Sequence, residues 1–169
     1  MPDNKEEVLN KIYELGHHYE ATIHGCAQST ILALKNFFEI DDIIFKTANS
    51  LSGGIAEKSE GNCGAFLAGA LTFSYFFGRD VDSLDKSGSS FKDKELTRKL
   101  RQKFIEKYNG ERCEQIQTDI FGRSFNMLTD KGKKEMEAAG GHDDKCTSVV
   151  GNAAVWTAEI LLDEEIPLK

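Results

Sequence analysis

Proline is nearly missing from this chain of 169 residues: Pro2 and Pro167 are the only two, one at each end. Nothing between them forces a helix to stop. Long β-branched runs with two-residue alternation are also missing, whereas helical spacing recurs, so the expected fold is all-α. No apolar run reaches the roughly 18 residues that a membrane-spanning helix needs; the longest near-apolar stretch is Phe66 to Phe77. Membrane insertion is therefore not expected. There is no Lys/Arg cluster, the net charge is −7 and the pI is near 5.2, which argues against a nucleic-acid partner. The segment Met1 to Tyr13 is charged and lacks the apolar core of a secretory signal, and no Asn-x-Ser/Thr site occurs. These absences lead to the expectation of a cytoplasmic protein, where thiols stay reduced.

What is present suits one globular domain, residues 1–169, with a core of about 10–162. Leu, Ile, Val and Phe make up about a quarter of the chain, above the roughly 20% typical of disordered acidic chains. The first helix is expected to start near Asp3, with Glu6 closing a capping box and Gly16 weakening it. Further helices are expected over Cys26–Phe38, Asp41–Ala48, Cys63–Phe77, Lys92–Tyr108, Glu111–Phe121, Lys131–Ala139 and Asp143–Leu162. Cys63–Phe77 is apolar almost all round, so it is expected to be the central helix. Residues 49–61 and 78–90 read as loops. The apolar faces could pack within one chain or across a homodimer.

The four cysteines, Cys26, Cys63, Cys113 and Cys146, lie far apart, and no C-x-x-C occurs. Their spacing matches no zinc ribbon or ferredoxin signature. Their position is the informative feature. Each falls in the first turn of an expected helix, after Gly25, Asn62, Gly110-Glu111 and Asp143-Asp144 respectively. A helix start carries unpaired N–H groups and a partial positive charge, which favours a thiolate and is expected to lower the thiol pKa. If the four starts converge, the thiols would share one pocket, able to hold a metal or iron–sulfur cluster or to form two dithiol pairs.

The chain resembles the redox-active family named for its pattern C_GCAxxG_C_C. The resemblance rests on Gly25-Cys26-Ala27-Gln28, Gly53-Gly54, Cys63-Gly64-Ala65, Cys113, Cys146 with Val149-Val150, and Ala158-Glu159. It runs from about residue 10 to 162. One position departs: the sixth residue of the core motif is Ala68, with Gly69 one residue later. A similar cysteine domain occurs in split-Soret cytochromes, where it looks like an iron–sulfur domain. The resemblance thus implies that Cys26, Cys63, Cys113 and Cys146 ligate a [2Fe–2S] cluster for electron transfer or sensing, with a redox partner protein. The haem part does not carry over, since no C-x-x-C-H occurs. Metal-free thiol–disulfide chemistry, a structural zinc site with four cysteines and an interaction domain with buried thiols remain open alternatives.

Other residues carry less. His24 and His142 fall near Cys26 and Cys146, where either could serve as proton donor or ligand. His17 and His18 are expected after the first helix, in surface or core-edge roles. Glu14-x-x-His17 has di-iron spacing but lacks a second copy. Ser52-Gly53-Gly54 and Glu60-Gly61-Asn62 are no phosphate loop; their glycines are expected to let the backbone pass close to the pocket. No Ser/His/Asp or Cys/His catalytic set can be assigned.

Overall fold

The computed structural model describes residues 4–83 and 91–169. Among them are eight α-helices and no strand beyond one isolated antiparallel bridge, Asn62 to Arg112. The helices are α1 Lys5–Ile23, α2 Cys26–Lys35, α3 Asp42–Thr47, α4 Gly64–Phe77, α5 Lys92–Tyr108, α6 Cys113–Phe121, α7 Asp130–Ala138 and α8 Cys146–Asp163. The all-α expectation holds. Asp3 and residues 84–90 lie outside the described residues. The N-cap of α1 is Asn4, whose side chain accepts from the Glu6 amide. Asp41 and Thr129 cap α3 and α7 in the same way, as short polar side chains do.

α8 is the hub. It packs on α1, α2, α4 and α5, and its buried face is rich in small residues: Gly151, Ala153, Ala154 and Ala158. The expectation that α4 would be central is corrected here. α4 buries Gly64 to Phe66, Ala68, Gly69, Thr72 and Phe73 but exposes Ser74 and Tyr75. Small side chains, rather than overall hydrophobicity, let several helices approach one axis. The displaced motif glycine fits this packing. Ala68 is fully buried, and a Cβ on Gly69 would collide with Leu100 of α5 and lie 2.6 Å from Thr157 of α8.

α1 does not end near Gly16. It continues to Ile23, so His17 and His18 lie within the helix. An isolated helix would lose about 1 kcal/mol at this glycine. Here Gly16 is buried, and a Cβ on it would sit 3.1 Å from the Gly151 Cα. The two glycines let α1 and α8 cross in near backbone contact, and tertiary packing outweighs propensity.

Leu96, Leu100, Phe104 and Tyr108 of α5 are all buried, as their four-residue steps predict. Phe104 meets Phe66 and Trp156 edge-on, with ring centroids 5.5 and 5.4 Å apart. Conversely, Ile43, Ile44 and Phe45 give α3 no buried residue, because that short helix lies on the outside of α2. Buried Thr30, Thr72 and Thr157 each donate to the carbonyl four residues back, so these hydroxyls need no other partner.

The α1–α8 crossing generates a test. A side chain at Gly151 would meet the Tyr13 ring at 2.7 Å. Gly151→Leu is expected to destabilise the fold by about 1–3 kcal/mol or more, read by urea unfolding. A variant as stable as the parent would contradict the close crossing.

Candidate functional site

The four cysteines come together. Cys26, Cys63, Cys113 and Cys146 all line one cavity of about 580 Å³, and all four are free thiols. Each sits at a helix start: Cys26, Cys113 and Cys146 are the first residues of α2, α6 and α8, and Cys63 is the N-cap of α4. The local starts differ from the expectation in three places. Asn62 is not the cap but bridges to Arg112. Glu111 precedes α6 and spends its carbonyl on the Cys63 amide. Asp143 and Asp144 belong to a wide π turn, Gly141–Lys145, which leads into Cys146.

Cys63 and Cys113 are set by a short backbone clasp. The Cys63 amide donates to the Glu111 carbonyl at 2.8 Å, and the Cys113 amide donates to the Gly61 carbonyl at 2.9 Å. Arg112 Nε adds a bond to the Glu60 carbonyl at 2.8 Å. Cys26 is placed from the other side. Ser52 Oγ accepts from the Ala27 amide at 3.3 Å, and a Cβ on Gly64 would fall 2.6 Å from Cys26 Sγ. Gly64 therefore makes room for Cys26, so that the starts of α2 and α4 can meet.

The loop before α4 has an unusual backbone. Residues 53–57 all have φ between 53° and 74°, and Ser59 has φ 63°. Ile55, Ala56 and Glu57 are not glycines, so this left-handed turn carries strain of roughly 1–2 kcal/mol per residue. It is held by bonds from the Ser59 amide to the Gly53 carbonyl and from the Gly61 amide to the Gly54 carbonyl. Its effect is to press the chain against the cysteines: a Cβ on Gly54 would sit 2.9 Å from Cys113 Cβ. The expected close passage of these glycines is thus observed.

Three of the thiols, Cys26, Cys113 and Cys146, are held above their ordinary range. Contact with the Cys63 thiol and burial hold the Cys26 thiol well above its ordinary range. Burial, then the neighbouring Cys26, pushes Cys113 up to about 12. Burial and the nearby Glu20 do the same to Cys146. For these three the expected lowering by helix starts is corrected: desolvation and neighbouring like groups outweigh a partial positive charge. Donors still point at the sulfurs. The Gly53 amide and the Ser52 hydroxyl favour the Cys26 thiolate, and Gln117 Nε2 reaches Cys113 Sγ at 3.6 Å. Gln117 is buried and fixed by the Phe125 amide, which donates to its Oε1 at 2.8 Å.

Both singled-out histidines border the cavity. His24 and His142 stack in parallel, with centroids 3.8 Å apart. His142 Nδ1 pairs with Glu137, and its Nε2 lies 3.9 Å from Glu20 Oε1. His17 instead faces Asp144 on the surface, and Glu14 is exposed. Sequence reasoning missed Gln117 and Glu20. Glu20 is only 4% exposed, and burial raises its carboxyl pKa well above the ordinary value. The signal for it was legible: Val8, Ile12, Gly16 and Glu20 form one buried stripe of α1 at four-residue steps.

Among the described residues no three His, Cys, Asp or Glu side chains are gathered closely enough to hold a single metal ion. No described helix is long and apolar enough to cross a membrane.

A family model described as "Putative redox-active protein (C_GCAxxG_C_C)" matches residues 24–160, spanning all four cysteines. The chain belongs to this family. No curated protein and no solved structure matches it. Membership of the C_GCAxxG_C_C family fits a site built from four converging thiols.

The raised thiols make a pH prediction. Between the ordinary thiol pKa of about 8.5 and about 12, the unfolded chain loses the Cys113 proton and the folded chain keeps it. Stability of the metal-free protein should therefore fall as pH rises through that window. Native Cys113 should also react with iodoacetamide more slowly at pH 7.5 than in denatured protein. Fast native labelling, followed residue by residue in a mass spectrometer, would contradict the assignment.

Proposed function

We propose that Cys26, Cys63, Cys113 and Cys146 bind an iron–sulfur cluster of [2Fe–2S] type, and that the protein passes or senses single electrons. The observation that carries this reading is the convergence of four helix-start thiols on one cavity. The donor set is all sulfur, which suits soft, thiophilic centres. A cluster of this type shares four thiolates between two irons, whereas a single zinc ion needs all four around one point, and no such grouping occurs among the described residues. When bound, such a cluster supplies a one-electron couple shared between two irons.

The chain's own residues do the rest. The Gly53 amide, Ser52 hydroxyl and Gln117 amide point donors at cysteine sulfurs, where they favour the negatively charged state. Ile116, Val149 and Val150 give the cavity an apolar wall beside the cysteines. The high thiol pKa values mean that an entering cation must displace protons, so loading should be easier at higher pH.

A second reading has its own support. The Cys26 and Cys63 thiols are close enough to interact directly. They could form a disulfide, releasing two electrons and two protons to an acceptor dithiol–disulfide couple.

Protein purified without oxygen should show broad visible bands and near-equal iron and sulfide. Cys63→Ser should remove or strongly perturb both. Gln117→Leu should keep the cluster but shift its potential more negative, because a donor to sulfur is lost. Unchanged iron and sulfide in Cys63→Ser would contradict the cluster. A colourless protein that loses 2 Da on oxidation would favour the disulfide.

A further inference from the structure

One wall of the cysteine cavity is held less firmly than the others. Met127, Lys133, Lys134, Met136 and Glu137 line it, and all five belong to α7 or the loop that leads into it. Among the described elements, α7 packs closely against the turn Gly141–Lys145 that follows it, whereas α1, α2, α4 and α5 all pack on α8. α7 buries only Gly132 and Met136. A Cβ on Gly132 would collide with the Asn126 backbone, so that contact ties the helix to its own lead-in loop. Met136 is therefore the one large apolar side chain that anchors α7 to the body of the fold, where it sits against Gly141.

The remaining ties are ionic and lie at the surface. Lys133 pairs with Glu57 at 2.6 Å, both side chains being about half exposed, and Glu57 belongs to the left-handed loop beside Cys113. Glu135 pairs with Arg123, and Glu137 with His142. Exposed pairs of this kind contribute little and are screened by salt. The two ends of the segment suit movement. Phe125 is fixed, since its amide donates to Gln117 Oε1 at 2.8 Å and its carbonyl accepts from Ser59 Oγ at 3.3 Å. Beyond it, residues 126–131 are exposed except for half-buried Met127. At the other end Gly140 has φ 84°. A segment with one buried anchor, exposed ends and weak surface ties belongs to the low-stability part of a fold, which opens without global unfolding.

We propose that residues 126–140 form a lid over the cysteines, hinged between Phe125 and Gly140 and latched by the Lys133–Glu57 pair. The lid swings out to give reagents access to the thiols and closes over them again, as lids over buried sites do. It does not depend on which chemistry the cysteines perform: a metal ion, a cluster or an acceptor disulfide would enter by the same side. The latch is ionic, so access rises with salt.

The test reads opening in two ways on purified full-length protein. Amide hydrogen exchange, followed by mass spectrometry, should show α7 exchanging by a local route whose rate stays flat across low urea, while the amides of α1 and α8 exchange only through global unfolding. Labelling of Cys113 and Cys146 by N-ethylmaleimide in the metal-free form should be equally flat in low urea. Lys133→Gln, a surface change that leaves the fold intact, should speed this labelling about two- to fivefold at low salt, and high salt should bring the parent up to the rate of the variant. Lys131→Gln, which cuts a pair lying within α7, should leave the rate unchanged. The proposal is overturned if the α7 amides depend on urea as steeply as those of α8, if labelling does so, or if Lys133→Gln labels no faster than the parent.

Discussion

Three of the helices that start at the cavity begin without help from their own caps. α2, α4 and α8 have Gly25, Cys63 and Lys145 at the N-cap, and no side chain there accepts from the first amides. At α6, Gln115 reaches back to the Arg112 amide. By contrast α1, α3 and α7, which start elsewhere, carry Asn4, Asp41 and Thr129 in working caps. Open helix starts leave N–H groups in need of acceptors and a partial positive potential. Gathering several at one end of a bundle is tolerable only if something electron-rich lies among them. The cysteines occupy that place.

The rest of the architecture follows from keeping these starts together. α8 must touch α1, α2, α4 and α5 at once, which its glycine and alanines allow. Gly64 must be bare for Cys26 to lie against α4, and Gly54 must be bare for the loop to lie on Cys113. The left-handed run at residues 53–57 is the most strained part of this arrangement. Strain of this kind persists where surroundings fix it, and it concentrates at functional sites. Here it is fixed by the clasp between residues 59–63 and 111–114, which also sets the register of two cysteines.

Much of this was legible in the sequence because it is local. α5 declares itself through Leu96, Leu100, Phe104 and Tyr108. The placement of all four cysteines at helix starts can be read from Gly25, Asn62, Gly110 and the Asp143 region, with α6 and α8 starting two and three residues later than expected, at Cys113 and Cys146. What was hidden depends on contacts across the fold. Gly16 reads as a weak point until Gly151 is placed against it. Ser52 and Gln117 act on residues at the starts of other elements or on sulfur, which spacing cannot reveal. The thiol pKa was misread because a helix start is a local feature, whereas desolvation and mutual crowding exist only once the four cysteines meet. Glu20 stood in plain view on an apolar stripe of α1, and its burial follows from the packing of that stripe.

The central claim is that cysteines distant in sequence face one another across a single cavity. The most direct measurement is treatment of metal-free native protein at pH 9 with dibromobimane, which becomes fluorescent when both arms react, followed by peptide mapping. The account predicts fluorescent, monomeric protein bridged within the set Cys26, Cys63, Cys113 and Cys146, with Cys26–Cys63 the leading pair. Single alkylation at separate cysteines without any bridge, or bridges only between molecules, would contradict it.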